Sequence, residues 1–111
     1  MSDKDLFGLK AILEAADKIK NYSSAFKSAD ELYQMQKELD ACLMNFIVIA
    51  EMIDRLSDDI KNKYNNLEWV KIKDFRNIIA HDYFGIDAEE VWQIINHNLP
   101  EFAREIKKIL K

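Results

Sequence analysis

With 111 residues, 49% of them hydrophobic and 32% charged, the chain has room for one domain around one core and is too short for two. Two glycines and one proline leave too little turn-forming material for a sandwich or barrel, so the predicted class is all-α. A formal charge of −4 excludes broad, nonspecific nucleic-acid binding, which needs a basic surface, but it leaves room for a small basic cleft. The single cysteine, Cys42, excludes an intramolecular disulfide, and Met1 to Asp5 lacks the pattern of a secretory signal, so the expected location is cytoplasmic. The longest apolar run, Phe46 to Ala50, falls far short of the ~20 residues needed to span a bilayer, and no membrane association is expected.

Leu6, Leu9, Ile12, Leu13, Ala16 and Ile19 recur at three- and four-residue spacing and predict a first helix from about Asp5 to Asn21. Ser28-Ala29-Asp30-Glu31 reads as a capping box that opens a second. Between Leu39 and Leu56 apolar residues cover more than one face, which predicts a central helix. Glu51 interrupts it, and a carboxylate among Ile49, Ala50, Met52 and Ile53 must find a partner or reach an exposed edge. Ser57-Asp58-Asp59 is a continuation or a restart, and Tyr64-Asn65-Asn66 a loop. A further helix runs from about Trp69 to His81. Asp87-Ala88-Glu89-Glu90 starts another, Asn98-Leu99-Pro100 marks a new N-terminus or a kink, and a last helix carries Phe102, Ile106, Ile109 and Leu110. The expected architecture is an antiparallel bundle of four main helices plus a short fifth over residues 1–111, with the Trp69–His81 helix on the inside.

That helix holds the chemistry. Arginine is a permanent planar cation that can grip a phosphate through two parallel hydrogen bonds, and histidine trades protons near neutral pH, so Arg76 and His81 make a minimal kit for RNA cleavage. Lys71, Lys73 and Arg76 form the nearest positive cluster. Ile72, Phe75, Ile78 and Ile79 share the side expected to be buried, while Asn77 and His81 are neighbours four residues apart. Arg76 and His81, five apart, diverge by about 140°, with the small Ala80 between them. A long arginine wrapping over Ala80 would close that gap; so would a second copy of the helix crossing here, and the second solution predicts a two-fold homodimer with a shared cleft. Gly85 is expected to be a left-handed cap just past the helix end.

The pattern Arg, four residues, His, one residue, Tyr within Phe75-Arg76-Asn77-Ile78-Ile79-Ala80-His81-Asp82-Tyr83-Phe84-Gly85 resembles the signature of the HepT family of HEPN-domain proteins. The likeness extends to Ile49-Ala50-Glu51, Asp54-Arg55-Leu56-Ser57, Trp69, Val91-Trp92 and Leu99-Pro100, with departures at Met44, where a basic residue is frequent, and at Ala50, where glycine is. The resemblance implies a HEPN-like helical homodimer that acts as the toxin of a prokaryotic toxin–antitoxin pair. It implies a metal-independent ribonuclease, a hydrolase needing no cofactor, whose partners are RNA and a nucleotidyltransferase antitoxin. Arg76 and His81 then match the catalytic pair, Asn77 the polar residue after the arginine, and Tyr83 the tyrosine that the antitoxin modifies with AMP. Glu51 and Lys73 are expected to support the site.

Two other functions use the same fold. One is a noncatalytic partner that binds nucleotide or substrate for a nucleotidyltransferase; the other is a structural dimer whose motif only pairs helices. The intact Arg76, His81 and Tyr83 favour the nuclease, since a binding module needs no proton-transfer residue beside a modifiable phenol. His81, Asp82, His97 and Cys42 lack metal-ligand spacing, and no Gly-rich phosphate loop is present.

Overall fold

Polar side chains cap the N-termini of four helices in the computed structural model, which describes residues 1–111. Ser2 accepts the Asp5 amide (3.1 Å), Ser28 that of Glu31 (3.2 Å), Ser57 that of Ile60 (3.3 Å) and Asp87 that of Glu89 (2.9 Å). Each bond satisfies an amide donor that the first turn leaves without a partner. The resulting helices are α1 (Asp3–Ser23), α2 (Ala29–Gln34), α3 (Gln36–Arg55), α4 (Asp58–Lys63), α5 (Trp69–His81), α6 (Ala88–Gln93) and α7 (Leu99–Ile109), with a π turn (Ile94–Asn98) joining the last two. No strand is present, and no helix is long and apolar enough to cross a membrane.

Four long helical runs build the bundle: α1, α3, α5 and the continuous α6–π–α7 segment. Two short helices accompany them, where one was expected. The helix opened by Ser28 stops at Gln34 because Met35 leaves helical geometry (φ −99°, ψ 80°), and α3 then starts at Gln36, three residues earlier than its apolar run suggests. At the other end Leu56 turns extended (ψ 148°), so Ser57 caps a restart rather than continuing α3.

Leu9, Ile12 and Ile19 of α1, Phe46, Ile49 and Ile53 of α3, Ile72 and Phe75 of α5 and Ile106 of α7 are all essentially inaccessible. Each such side chain contributes about 1.5–3 kcal/mol through removal from water. Phe46 and Phe75 meet edge to face (centroids 4.8 Å apart), and Trp69 meets Phe102 the same way (5.3 Å), which ties α5 to α3 and to α7. Two contacts fix α1 antiparallel to α3. Near the start of α1, the Asp5 carboxylate accepts both the Ser57 amide (2.8 Å) and hydroxyl (2.6 Å); near its end, the Cys42 thiol donates to the Ile19 carbonyl (3.7 Å).

The motif helix lies at the margin of the bundle, not inside it. Its principal neighbour is α3, so only a narrow stripe made by Trp69, Ile72, Phe75 and Ile79 is covered. Ile78, expected on that stripe, lies on the outer flank about 100° from Ile79 and is 41% exposed, because no element packs over it.

Candidate functional site

α3 and α5 run antiparallel in a register that pairs acids with bases. Glu51 and Asp54, one turn apart on α3, face Arg76 and Lys73, one turn apart on α5. The Glu51 carboxylate accepts from Arg76 Nη1 at 2.5 Å, Asp54 Oδ2 accepts from the same nitrogen at 3.3 Å, and Asp54 Oδ1 meets Lys73 Nζ at 2.7 Å. A hydrogen bond from Lys73 holds the Asp54 carboxyl below the usual carboxylate range; partial burial opposes this, and the charges of Lys73 and Arg76 reinforce it.

Glu51, expected to find a partner or to reach an exposed edge, does both: it pairs with Arg76 and its side chain stays 47% exposed. Both carboxylates use Nη1 alone, which leaves the Nη2 and Nε edge of Arg76 without a protein partner. The positive cluster expected around Lys71, Lys73 and Arg76 is largely neutralised, since two of its three cations are paired with α3.

His81 occupies the last turn of α5, exposed and without a hydrogen-bond partner, and Asn77 one turn before it is exposed as well. Arg76 leans towards α3 on the side of the helix that carries Ala80, so the structure separates it from His81 around the axis as the helical spacing requires. Beside this flank, α3 exposes Met44 and Val48 on the stripe that continues to Glu51 and Arg55.

The chain leaves α5 through Asp82, whose carboxylate accepts the Gly85 amide (3.1 Å). Gly85 is not a left-handed cap, because no residue has positive φ. A Cβ there would stand 2.6 Å from both Asp82 carboxylate oxygens, so a larger residue would have to push aside the carboxylate that caps the Gly85 amide. This turn delivers Tyr83 onto the start of α3, where its hydroxyl donates to Asp40 and accepts from Gln36 Nε2 at 2.7 Å. Gln36 also donates to Asp40 (2.8 Å), closing a three-membered network. The bond to Asp40 raises the phenol above its ordinary pKa, since a carboxylate acceptor favours the neutral hydroxyl. Phe84 stacks edge-on against Tyr83 and is otherwise almost wholly exposed.

The family model described as Ribonuclease HepT-like matches residues 12–109, a span that holds all of these residues. The chain belongs to the HepT-like ribonuclease family. Among its relatives is a Methanocaldococcus jannaschii protein named as a gamma-glutamylcyclotransferase and putative RNase, 29% identical over 103 residues that cover 93% of this chain and 46% of that protein. The chain therefore spans about half the length of that relative. A second M. jannaschii protein, named as a putative RNase, is 33% identical over 82 residues, 74% of this chain and 68% of that one. A Thermococcus cleftensis protein named as a probable ribonuclease HepT is 22% identical over 103 residues, 93% of both chains. No solved structure matches the sequence.

In this HepT-like chain the structure brings Arg76, Glu51 and Lys73 into one cluster, leaves Asn77 and His81 facing solvent, and anchors Tyr83 to α3. Asp54, Asp40 and Gln36 are the participants that sequence reasoning missed. For Asp54 the signal was present, since an acidic pair at i, i+3 on one helix opposes a basic pair at i, i+3 on its neighbour. Asp40 and Gln36 carry no such signal, because their contact with Tyr83 depends on the turn after α5. His97 is exposed, Cys42 is buried with its thiol pushed up to about 12 by desolvation, and no three His, Cys, Asp or Glu side chains gather in a metal-binding arrangement.

Proposed function

We propose that this HepT-like chain is the toxin of a prokaryotic toxin–antitoxin pair, a metal-independent RNA endonuclease whose active site is shared across the cleft of a two-fold dimer. The observation that carries the reading is the presentation of Arg76: oriented through Nη1 by Glu51 and Asp54, it keeps its other edge available to a phosphate, with an unencumbered His81 five residues on. Arg76 and His81 are the catalytic residues, Glu51 and Lys73 position the arginine, directly and through Asp54, and Asn77 lines the approach. The exposed Met44, Val48 and Ala80 beside Arg76 support a second copy docking here, which brings one chain's arginine opposite the other's histidine.

In the cleavage step the RNA 2′-oxygen attacks phosphorus and the 5′-oxygen leaves, giving a cyclic phosphate and a 5′-hydroxyl. His81 takes the 2′-hydroxyl proton as general base or protonates the leaving oxygen as general acid, and Arg76 stabilises the charge that builds on the phosphoryl oxygens. A nucleotidyltransferase antitoxin silences the enzyme by placing AMP on Tyr83, two residues from His81, where bulk and phosphate charge exclude RNA. That modification must displace the Tyr83 hydroxyl from Asp40 and Gln36.

Labelled RNA incubated in chelator with the purified chain and with its His81→Ala variant tests the reading. Cleavage to cyclic-phosphate ends by the former alone is expected; equal RNA loss with both, or with neither, would sink the catalytic assignment. Mass spectrometry of Tyr83 after incubation with ATP and a cognate nucleotidyltransferase tests the switch separately, with an added AMP expected on that residue.

A further inference from the structure

A cavity of about 490 Å³ lies away from α5, between the C-terminal half of α1 and the π turn with α7. None of its lining residues belongs to the Arg76–His81 site. Lys20 of α1 and Arg104 and Lys107 of α7 converge on it, and none of the three forms an ion pair. The chain carries 20 acidic residues against 16 basic ones, yet Asp17 is the single carboxylate that lines the cavity beside these cations. Lys20 and Lys107 stand in the last turns of their helices, where the macrodipole favours positive charge, but Arg104 does not, and no helix-end effect accounts for it.

The cavity's shape has a local cause. Ala16 and Ala103 offer only methyl groups where α1 and α7 face each other, and the half-buried Phe26 ring with Leu99 supplies an apolar lining. On the opposite wall the Leu99 amide reaches back five residues to the Ile94 carbonyl, which widens the helix into the π turn. Pro100 has no N–H to give the carbonyls of Ile95 and Asn96, and both residues line the cavity. Such π turns recur at functional sites, and the volume is that of a small-ligand pocket.

We propose that this cavity binds one nucleotide unit, with its phosphate held by Lys20, Arg104 and Lys107 and its base against Phe26. The inference is independent of the nuclease assignment. Three unpaired cations beside an apolar lining match a phosphate ester that carries a flat aromatic group; an acidic peptide would satisfy the charges and leave Phe26 without a planar partner. The unit can arrive as a free nucleotide or as part of an RNA strand, and the two sources are separable.

The isotope-labelled full chain is titrated with 5′-AMP, with ribose 5-phosphate, with a 2′-O-methylated RNA decamer that cannot be cleaved, and with a glutamate-rich peptide, while the backbone amide signals are followed. AMP is expected to shift Ser24, Phe26, Asn96 and Ala103 saturably. Arg104→Glu with Lys107→Glu should weaken the effect at least about 10-fold, as should Lys20→Glu alone should the double variant fail to fold. Ribose 5-phosphate should bind more weakly than AMP. Shifts at these amides with the decamer but not with AMP would assign the site to RNA strands and support the proposal. Silence of these amides with both nucleotide probes, undiminished binding by the folded variants, ribose 5-phosphate shifts that match saturable AMP shifts, or tighter binding of the peptide would each overturn it.

Discussion

Replacing Arg76 with alanine separates a catalytic arginine from a structural one. Its two ion pairs join partners that remain well exposed, Arg76 at 29%, Glu51 at 47% and Asp54 at 34%. Solvent screening at that exposure limits each pair to about 0.5 kcal/mol. The aliphatic stem packed between α5 and α3 adds about 0.5–1 kcal/mol of burial. Asp54 keeps Lys73 at 2.7 Å, so Arg76→Ala leaves no carboxylate buried and unpaired. The expected loss is therefore about 1–2 kcal/mol, a fall of roughly 4–12 °C in Tm for a chain of this size, with complete loss of RNA cleavage. Thermal unfolding by circular dichroism reads the first quantity and a double-mutant cycle with Glu51→Ala reads the pair itself, expected near 0.5 kcal/mol. A loss above about 4 kcal/mol, or a coupling above about 2, would show that Arg76 chiefly holds α5 to α3 and would refute the reasoning.

Further outcomes follow from groups outside the Arg76 cluster. Burial pushes the Asp5 carboxyl up, but the Ser57 hydroxyl and amide outweigh it and leave its pKa lowered from 3.8. Its contribution is therefore full above that value and disappears as pH falls through the lower folded one: Asp5→Ala should lower stability by about 2 kcal/mol at neutral pH, and the gap in Tm should close in strong acid. Cys42, buried and with a pKa of about 12, should resist a thiol reagent in the native chain and react at once in denaturant. Asp40→Asn should lower the raised Tyr83 phenol pKa, seen as earlier ionisation of one tyrosine in an ultraviolet pH titration, and Tyr83→Phe should abolish acceptance of AMP while leaving RNA cleavage intact.

The helices were legible because their signals are local. Apolar spacing marked α1, α3 and α5, and the side-chain caps at Ser28 and Asp87 stand where the sequence put them. What escaped was set by neighbours. Met35 and Leu56 leave helical geometry without a proline or glycine to announce it. The exposure of Ile78 depends on which elements cover α5, and the role of Gly85 on the Asp82 carboxylate rather than on backbone φ. Asn98-Leu99-Pro100 announced an irregularity, and the missing Pro100 amide made it a π turn inside one continuous helical run. Within the site, the angular separation of Arg76 and His81 was readable at about 100° per residue. The clasp of Arg76 by Glu51 and Asp54 required the α3–α5 register.

That separation gives the proposed sharing of the active site between two chains its most direct test. Arg76→Ala and His81→Ala chains, each inactive alone, are mixed, allowed to exchange subunits and assayed on RNA in chelator. If the arginine of one chain serves the histidine of the other, half of the dimers recover one of two sites, and activity should return to about one quarter of the wild-type level. No recovery, with subunit exchange verified by mass, would contradict a site built across the dimer.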